Sequence, residues 1–189
     1  MKRYSKGQYG YRNYHKRTEF LKVFIGAVLI IVQLVARSFA DNTAVKNTLT
    51  VMAILSVLPT ANIAAPLLAS WKYRSLPLPL AKKVSSFELD GTVLYDLIIS
   101  SKEQLLPMDV ILVQADEIIA FCTSRQSDAR KAEQYLKQML NKHELNQNVK
   151  VFLDEHSFLK RLSSLKKKEE FVHPEQIDSA VWLLKSLSM

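Results

Sequence analysis

The chain has 189 residues, with 26 Lys and Arg against 18 Asp and Glu for a formal charge of +8. That length fits one modest domain and a membrane anchor, and about 110 residues beyond the apolar part are enough for a real core. One cysteine, Cys122, excludes an internal disulfide framework, and the four scattered histidines make no C-x-x-C or H-E-x-x-H spacing for structural zinc.

The first segment, residues 1–19, reads as a basic and aromatic cytoplasmic tail. Lys2, Arg3, Lys6, Arg12, Lys16, Arg17 and Lys22 precede the first apolar run against the single acid Glu19, and Tyr4, Tyr9, Tyr11 and Tyr14 are interleaved with them. Such a segment fits a disordered tail that sets membrane orientation. The competing reading is contact with anionic lipid or RNA, with nucleic acid the less favoured partner.

Residues 20–73 read as a transmembrane helical hairpin, with spans at 20–39 and 49–71. A spanning helix needs about 20 mostly apolar residues. The first span reaches that length only if Lys22 and Arg37 extend to the two interfaces. The second ends in Trp71 and Tyr73, aromatic rings suited to the headgroup layer. Pro59 and Pro66 predict a kink in it, because each removes a backbone donor. Gln33 and Asn62, one polar group per span, are the candidates for interhelical hydrogen bonds. Arg37 and Lys46 stand in the bend, whereas Lys72, Arg74, Lys82 and Lys83 follow the second span. This excess at the outer flanks puts both termini in the cytoplasm of a multi-pass plasma-membrane protein, with the lipid bilayer as its first partner. A cleaved signal peptide ending at Ser38-Phe39-Ala40 is the main competitor. The long basic region and the immediate second span argue against it.

Residues 74–83 contain Leu76-Pro77-Leu78-Pro79, which predicts a stiff, extended connector. The cytoplasmic domain is expected at 84–189. Residues 92–101 suit a strand, although their apolar residues also suit one helical face; 108–114 and 118–123 suit a β-hairpin, and 149–153 a further short strand. Ser127 or Asp128 caps a helix running to about residue 142, with Ala129, Ala132, Tyr135, Leu136 and Met139 on one face. An amphipathic helix at 154–165 turns Phe158, Leu159 and Leu162 inward. The last helix, 174–187, starts at Pro174 with Ile177, Val181, Trp182 and Leu184 on or near its apolar side. Lys166-Lys167-Lys168-Glu169-Glu170 between these helices reads as a solvated linker. The order β-β-β-α-β-α-α is an α+β domain.

That order resembles the core of the restriction-endonuclease-like fold, including the nuclease-related NERD domains. The family sets an Asp at the start of one strand and Glu-x-Lys near the end of the next, for metal-assisted phosphodiester hydrolysis. Asp109 matches the first element, but Cys122 and Ser124 stand where the Glu and Lys belong. The resemblance therefore implies a topology over about 92–153 and no nuclease activity.

The whole chain also resembles a group of two-span membrane proteins of Gram-positive gut bacteria. The residues that carry this are Met1-Lys2-Arg3-Tyr4-Ser5-Lys6-Gly7-Gln8-Tyr9-Gly10-Tyr11, Val51-Met52-Ala53-Ile54-Leu55-Ser56-Val57-Leu58-Pro59-Thr60-Ala61-Asn62 and Leu94-Tyr95-Asp96-Leu97-Ile98. Some members carry an O-linked GlcNAc transferase-like label. With four glycines and no G-x-G-x-x-G, this chain has no phosphate loop for such chemistry, and no cofactor is expected.

Asp90, Asp96, Asp109 and Asp116 match no calcium-loop spacing, and Asp90-Gly91 and Asp116 read as turn residues. Cys122 in an apolar β run reads as a small core residue rather than a nucleophile. No catalytic, cofactor or metal residue is therefore assigned. The sequence leads to a membrane-anchored binding or scaffolding domain, working with a protein partner or a second copy. The alternatives are a divergent nuclease-like or transferase-like enzyme, or an accessory subunit of a membrane complex.

Overall fold

The computed structural model describes residues 4–88, 91–101, 104–124, 128–165 and 174–189. Two compact units emerge. One joins Met1–Arg12 to Tyr73–Met189, and the other is Asn13–Lys72.

The second unit is a helical hairpin. Helix α1 (Tyr11–Phe39) starts in the first unit and continues through this one, and α2 (Thr43–Ser70) follows after a three-residue bend capped by Asn42. Both are long and apolar enough to cross a membrane. α2 remains one helix through Pro59 and Pro66. Its covered side centres on Leu49, Ala53, Ser56, Thr60, Ile63, Leu67 and Ser70, and that of α1 on Val23, Gly26, Ile30 and Gln33. This alternation of fours and threes is the seam of a coiled-coil-like pair. Gly26 makes the approach possible: a Cβ there would clash with the Thr60 side chain.

The first unit is built on a four-stranded sheet in the order β1 (Thr92–Ser100), β2 (Leu105–Val113), β3 (Glu117–Phe121) and β4 (Asn148–Phe152). The first three pair antiparallel and β4 runs parallel to β3, as a crossover through helix α4 (Ala129–Lys142) requires. Asp128 caps α4 by accepting from the Arg130 and Lys131 amides. Ser127 and the 166–170 charge run lie outside the described residues.

Helices cover both faces of the sheet. Ala132, Leu136 and Leu140 of α4, with Ala180, Leu183 and Leu184 of α6 (Pro174–Leu187), pack on one. Leu80, Ala81 and Val84 of α3 (Leu78–Ser85), with Phe158 and Leu162 of α5 (Glu155–Ser163), pack on the other. β1, β2 and β3 are accordingly buried on both sides and read as nearly continuous apolar runs, whereas β4 alternates between buried and exposed residues.

Three expectations change. Residues 74–83 are not an extended connector. Pro77 and Pro79 sit at the start of α3, where a missing amide proton costs nothing, and Leu76, Leu80 and Ala81 join the core. Residues 4–12 are not a loose tail, because they pack into the α/β unit. Trp182 is not on the apolar side of α6: it is 66% exposed, and Leu183 fills the core instead.

Candidate functional site

The most heavily engaged polar groups lie where the side-chain alternation of β1 and β2 breaks. Leu94 faces the α4/α6 side, and regular alternation would put Asp96 and Ile98 there too. Instead Leu97 and Ile99 occupy it. On β2 the even-numbered Leu106 and Met108 share that side with the odd-numbered Ile111 and Val113, while Val110 and Leu112 face the other. Both strands slip by one residue at the same rung, formed by Asp96 and Asp109. Asp96 has φ 59°, a left-handed conformation inside a strand, and its rung is the one missing from an otherwise continuous register.

Two carboxylates facing each other across strands, 2% and 4% exposed, would be strongly unfavourable unless paired. The N-terminal segment supplies the partners. The Gly7 carbonyl accepts from the Tyr95 amide at 2.8 Å, adding a short bridge to the free side of β1. The Gly10 amide donates to Asp96 Oδ2 at 2.8 Å. Gly7 and Gly10 both have positive φ, 89° and 84°, so the chain turns there as glycine permits. A Cβ on Gly7 would also press within 2.9 Å of the Leu94 side chain.

Arg12 completes the site, 3% exposed in the first turn of α1. Its Nη1 donates to Asp109 Oδ1 and to the Arg74 carbonyl, both at 2.6 Å. Its Nη2 donates to the Leu97 and Met108 carbonyls at 3.0 and 3.2 Å. Leu97 and Met108 form the rung next to the slip, so the guanidinium binds both strands where their own ladder is interrupted. The Thr123 amide donates to Asp109 Oδ2 at 2.7 Å. Both oxygens of Asp109 are thus committed, and the carboxylate that resembled a nuclease element serves to hold Arg12.

Two tyrosines border the cluster. Tyr9 donates to the Leu76 carbonyl at 3.0 Å and meets Tyr95 edge-on with centroids 6.1 Å apart. Tyr95 donates to Glu88 at 3.1 Å. Burial, then the Glu88 hydrogen bond and charge, push the Tyr95 phenol well above its ordinary range. Burial and the Asp96 charge raise Tyr9 as well.

The remaining candidates separate clearly. Cys122 is 1% exposed and its thiol points to the Ser124 carbonyl at 3.7 Å, as befits a core residue. Asp90 lies outside the described residues, and Asp116 sits in the β2–β3 turn, where its carbonyl accepts from the Asn148 amide. Among the described residues no three His, Cys, Asp or Glu groups gather as a metal site would need. A groove of about 690 Å³ beside α4 is lined by Gln104, Lys131, Gln134, Gln138 and Lys142.

In the helical unit, Lys22 is half exposed and pairs with Glu19 at 2.7 Å, and Arg37 is exposed near the bend. Trp71 is exposed, its ring tilted against Phe20 at 6.1 Å, while its carbonyl accepts from Lys16 at 2.9 Å. Tyr73 is half-buried in the α/β unit. Gln33 does bond across the helices, to Ser56 at 3.4 Å. Asn62 does not share in this. It is exposed, two residues past Thr60 on the covered seam, and Ser56 takes the role expected of it.

Sequence reasoning passed over Arg12 because it is one of six basic residues in the segment read as a tail. The signal that pointed to it was Asp96 and Asp109 inside apolar strands, since two buried acids demand a cation or amide donors from somewhere. Compared with family models, curated proteins and solved structures, the chain matches none.

Proposed function

We propose that this chain is an integral membrane protein whose helical hairpin holds a small α/β domain at the cytoplasmic face, as a non-catalytic binding or scaffolding module. The observation that carries the reading is the Arg12 hydrogen bond to the Arg74 carbonyl. The chain leaves the α/β unit at Arg12 and returns to it at Tyr73, so its exit and return are tied to one spot. Arg12 lies in the first turn of α1, and Leu76 belongs to the core of the α/β unit. A domain tethered so closely acts at high effective concentration on membrane-bound partners.

Charge supports the orientation. Apart from Arg12, which pairs with Asp109, the basic residues Lys16, Arg17, Lys22, Lys72 and Arg74 stand at this end of the hairpin, against Arg37 and Lys46 around the bend. That asymmetry keeps the α/β domain in the cytoplasm and the bend outside. Of the carboxylates that would first be sought for catalysis, Asp109 is held by Arg12 and the Thr123 amide, and Asp96 accepts from the Gly10 amide through Oδ2.

Single-cysteine labelling tests the reading. Asp41→Cys in the bend should react with a membrane-impermeant maleimide on intact cells, and Lys150→Cys on exposed β4 only after lysis. The reverse pattern would overturn the orientation, and release of the protein by an alkaline wash would overturn membrane insertion.

A further inference from the structure

We propose that two copies of this chain associate in the membrane through the outer face of α2, with Asn62 at the contact. The inference rests on the membrane reading above and adds a partner to it.

From Thr48 to Ser70, among the described residues, the polar side chains of α2 are provided for except at Asn62. The hydroxyls of Thr48, Thr50, Ser56 and Thr60 each donate to the carbonyl four residues back, and Ser70 to the one three back. Gln33 of α1 has Ser56. Asn62 is exposed, turned away from the seam, and among the described residues its carboxamide has no partner. Its backbone carbonyl is also deprived, because the residue four ahead is Pro66, which has no amide proton to give. Side chain and main chain therefore present unmet donors and acceptors together. Pro59 does the same to the carbonyl of Leu55, one heptad earlier on the same side.

Depth makes this costly. Asn62 lies about nine residues before Trp71, roughly 13 Å along a helix rising ~1.5 Å per residue. In a hydrocarbon core about 30 Å thick that is near the midplane, where water cannot complete the bonds. Another protein group must. Copies of one chain insert with the same orientation, so a two-fold axis along the membrane normal sets Asn62 opposite Asn62 at equal depth. A carboxamide donates and accepts, and is complementary to itself. Ala61, Ala65 and Ala69, all exposed and spaced by four, let two α2 backbones approach closely enough for these bonds.

Full-length protein in native membranes, oxidised with copper phenanthroline, tests this. The only native thiol, Cys122, is buried in the soluble core and stays silent. Ala69→Cys on the Asn62 side should give a disulfide-linked dimer, and Val32→Cys on the outward side of α1 should not. Adding Asn62→Leu to Ala69→Cys should cut the dimer fraction about fivefold or more, while Asn62→Gln retains most of it. Because Asn62 is exposed, neither change disturbs the hairpin. Protein that withstands an alkaline wash yet gives no dimer, dimerises equally through Val32→Cys, or is indifferent to Asn62→Leu overturns self-association alone. Protein that washes off overturns the membrane reading and this inference with it.

Discussion

The two units satisfy the same demand by opposite means. Each must leave few polar groups without partners, the α/β unit in its core and, on the membrane reading proposed above, the hairpin in a bilayer. The helical hairpin does so largely locally: most of its serines and threonines bond within their own helix, while Gln33 reaches Ser56 and Lys16 reaches the Trp71 carbonyl across the pair. The α/β unit does so at long range: one guanidinium joins Asp109, 97 residues away, to the carbonyls of Arg74, Leu97 and Met108. Local satisfaction tolerates substitution, because each bond fails alone. A shared cation does not, because its loss strands an acid and three carbonyls at once.

The buried ion pair also explains why the N-terminal segment docks in one register. Desolvating Arg12 and Asp109 is expensive, and their hydrogen bonds do little more than offset that cost. Either group buried alone would be far worse. Only the alignment that brings Arg12 to Asp109, Gly10 to Asp96 and Gly7 to Tyr95 avoids it. The pair thus selects a geometry more than it adds net stability.

The contrast can be broken most forcefully at Arg12. Arg12→Ala should destabilise the α/β unit by about 3–5 kcal/mol, the usual cost of removing one member of a buried pair. Tryptophan-independent far-UV circular dichroism during denaturation in detergent would read it. Arg12→Lys should recover little, since a single ammonium cannot span four acceptors. A loss no larger than that of a surface substitution would mean that the cluster does not hold the N-terminal segment.

Gly26→Leu tests the other unit. Filling the space against Thr60 should force the helices apart at about 1–3 kcal/mol, lowering the thermal stability of the hairpin while sparing the α/β unit. Equal damage to both units would erase the distinction between them.

Alkali offers a subtler probe of the α/β side. The native state holds the Tyr95 proton above the ordinary tyrosine range, so the unfolded chain releases it first as pH rises. The stability tied to this group is complete below about pH 10 and is lost above it, at no more than about 1.4 kcal/mol per pH unit. Tyr95→Phe should flatten that decline, and an unchanged slope would assign it to other groups. Smallest of all, Gln33→Leu should cost about 0.6 kcal/mol in the helix pair, measured by the same melts. A loss of several kcal/mol would show that the hairpin depends on long-range polar contacts after all.

Much of this was legible in the chain because its signals are local. The two apolar runs, the strands from Thr92 to Phe121 and the helix capped by Asp128 follow from composition, periodicity and capping within a few residues. The α+β order followed from the same signals. Boundaries were less readable: α1 begins at Tyr11, well before the apolar residues, and the proline-containing connector forms α3. Proline is ambiguous in sequence, since it suits both an extended linker and a first helical turn.

What the sequence by itself determined is which segments must leave water and in what secondary structure, because hydrophobic periodicity is written in neighbouring residues. Only the tertiary structure decided which charges survive. It turned Arg12 from a topological signal into a buried clamp and spent Asp109 on it. It set Trp182 outward and left Asn62 on the open side of α2. The reason is physical: a polar group's cost depends on partners that the fold brings from far along the chain, and no local pattern records who they are.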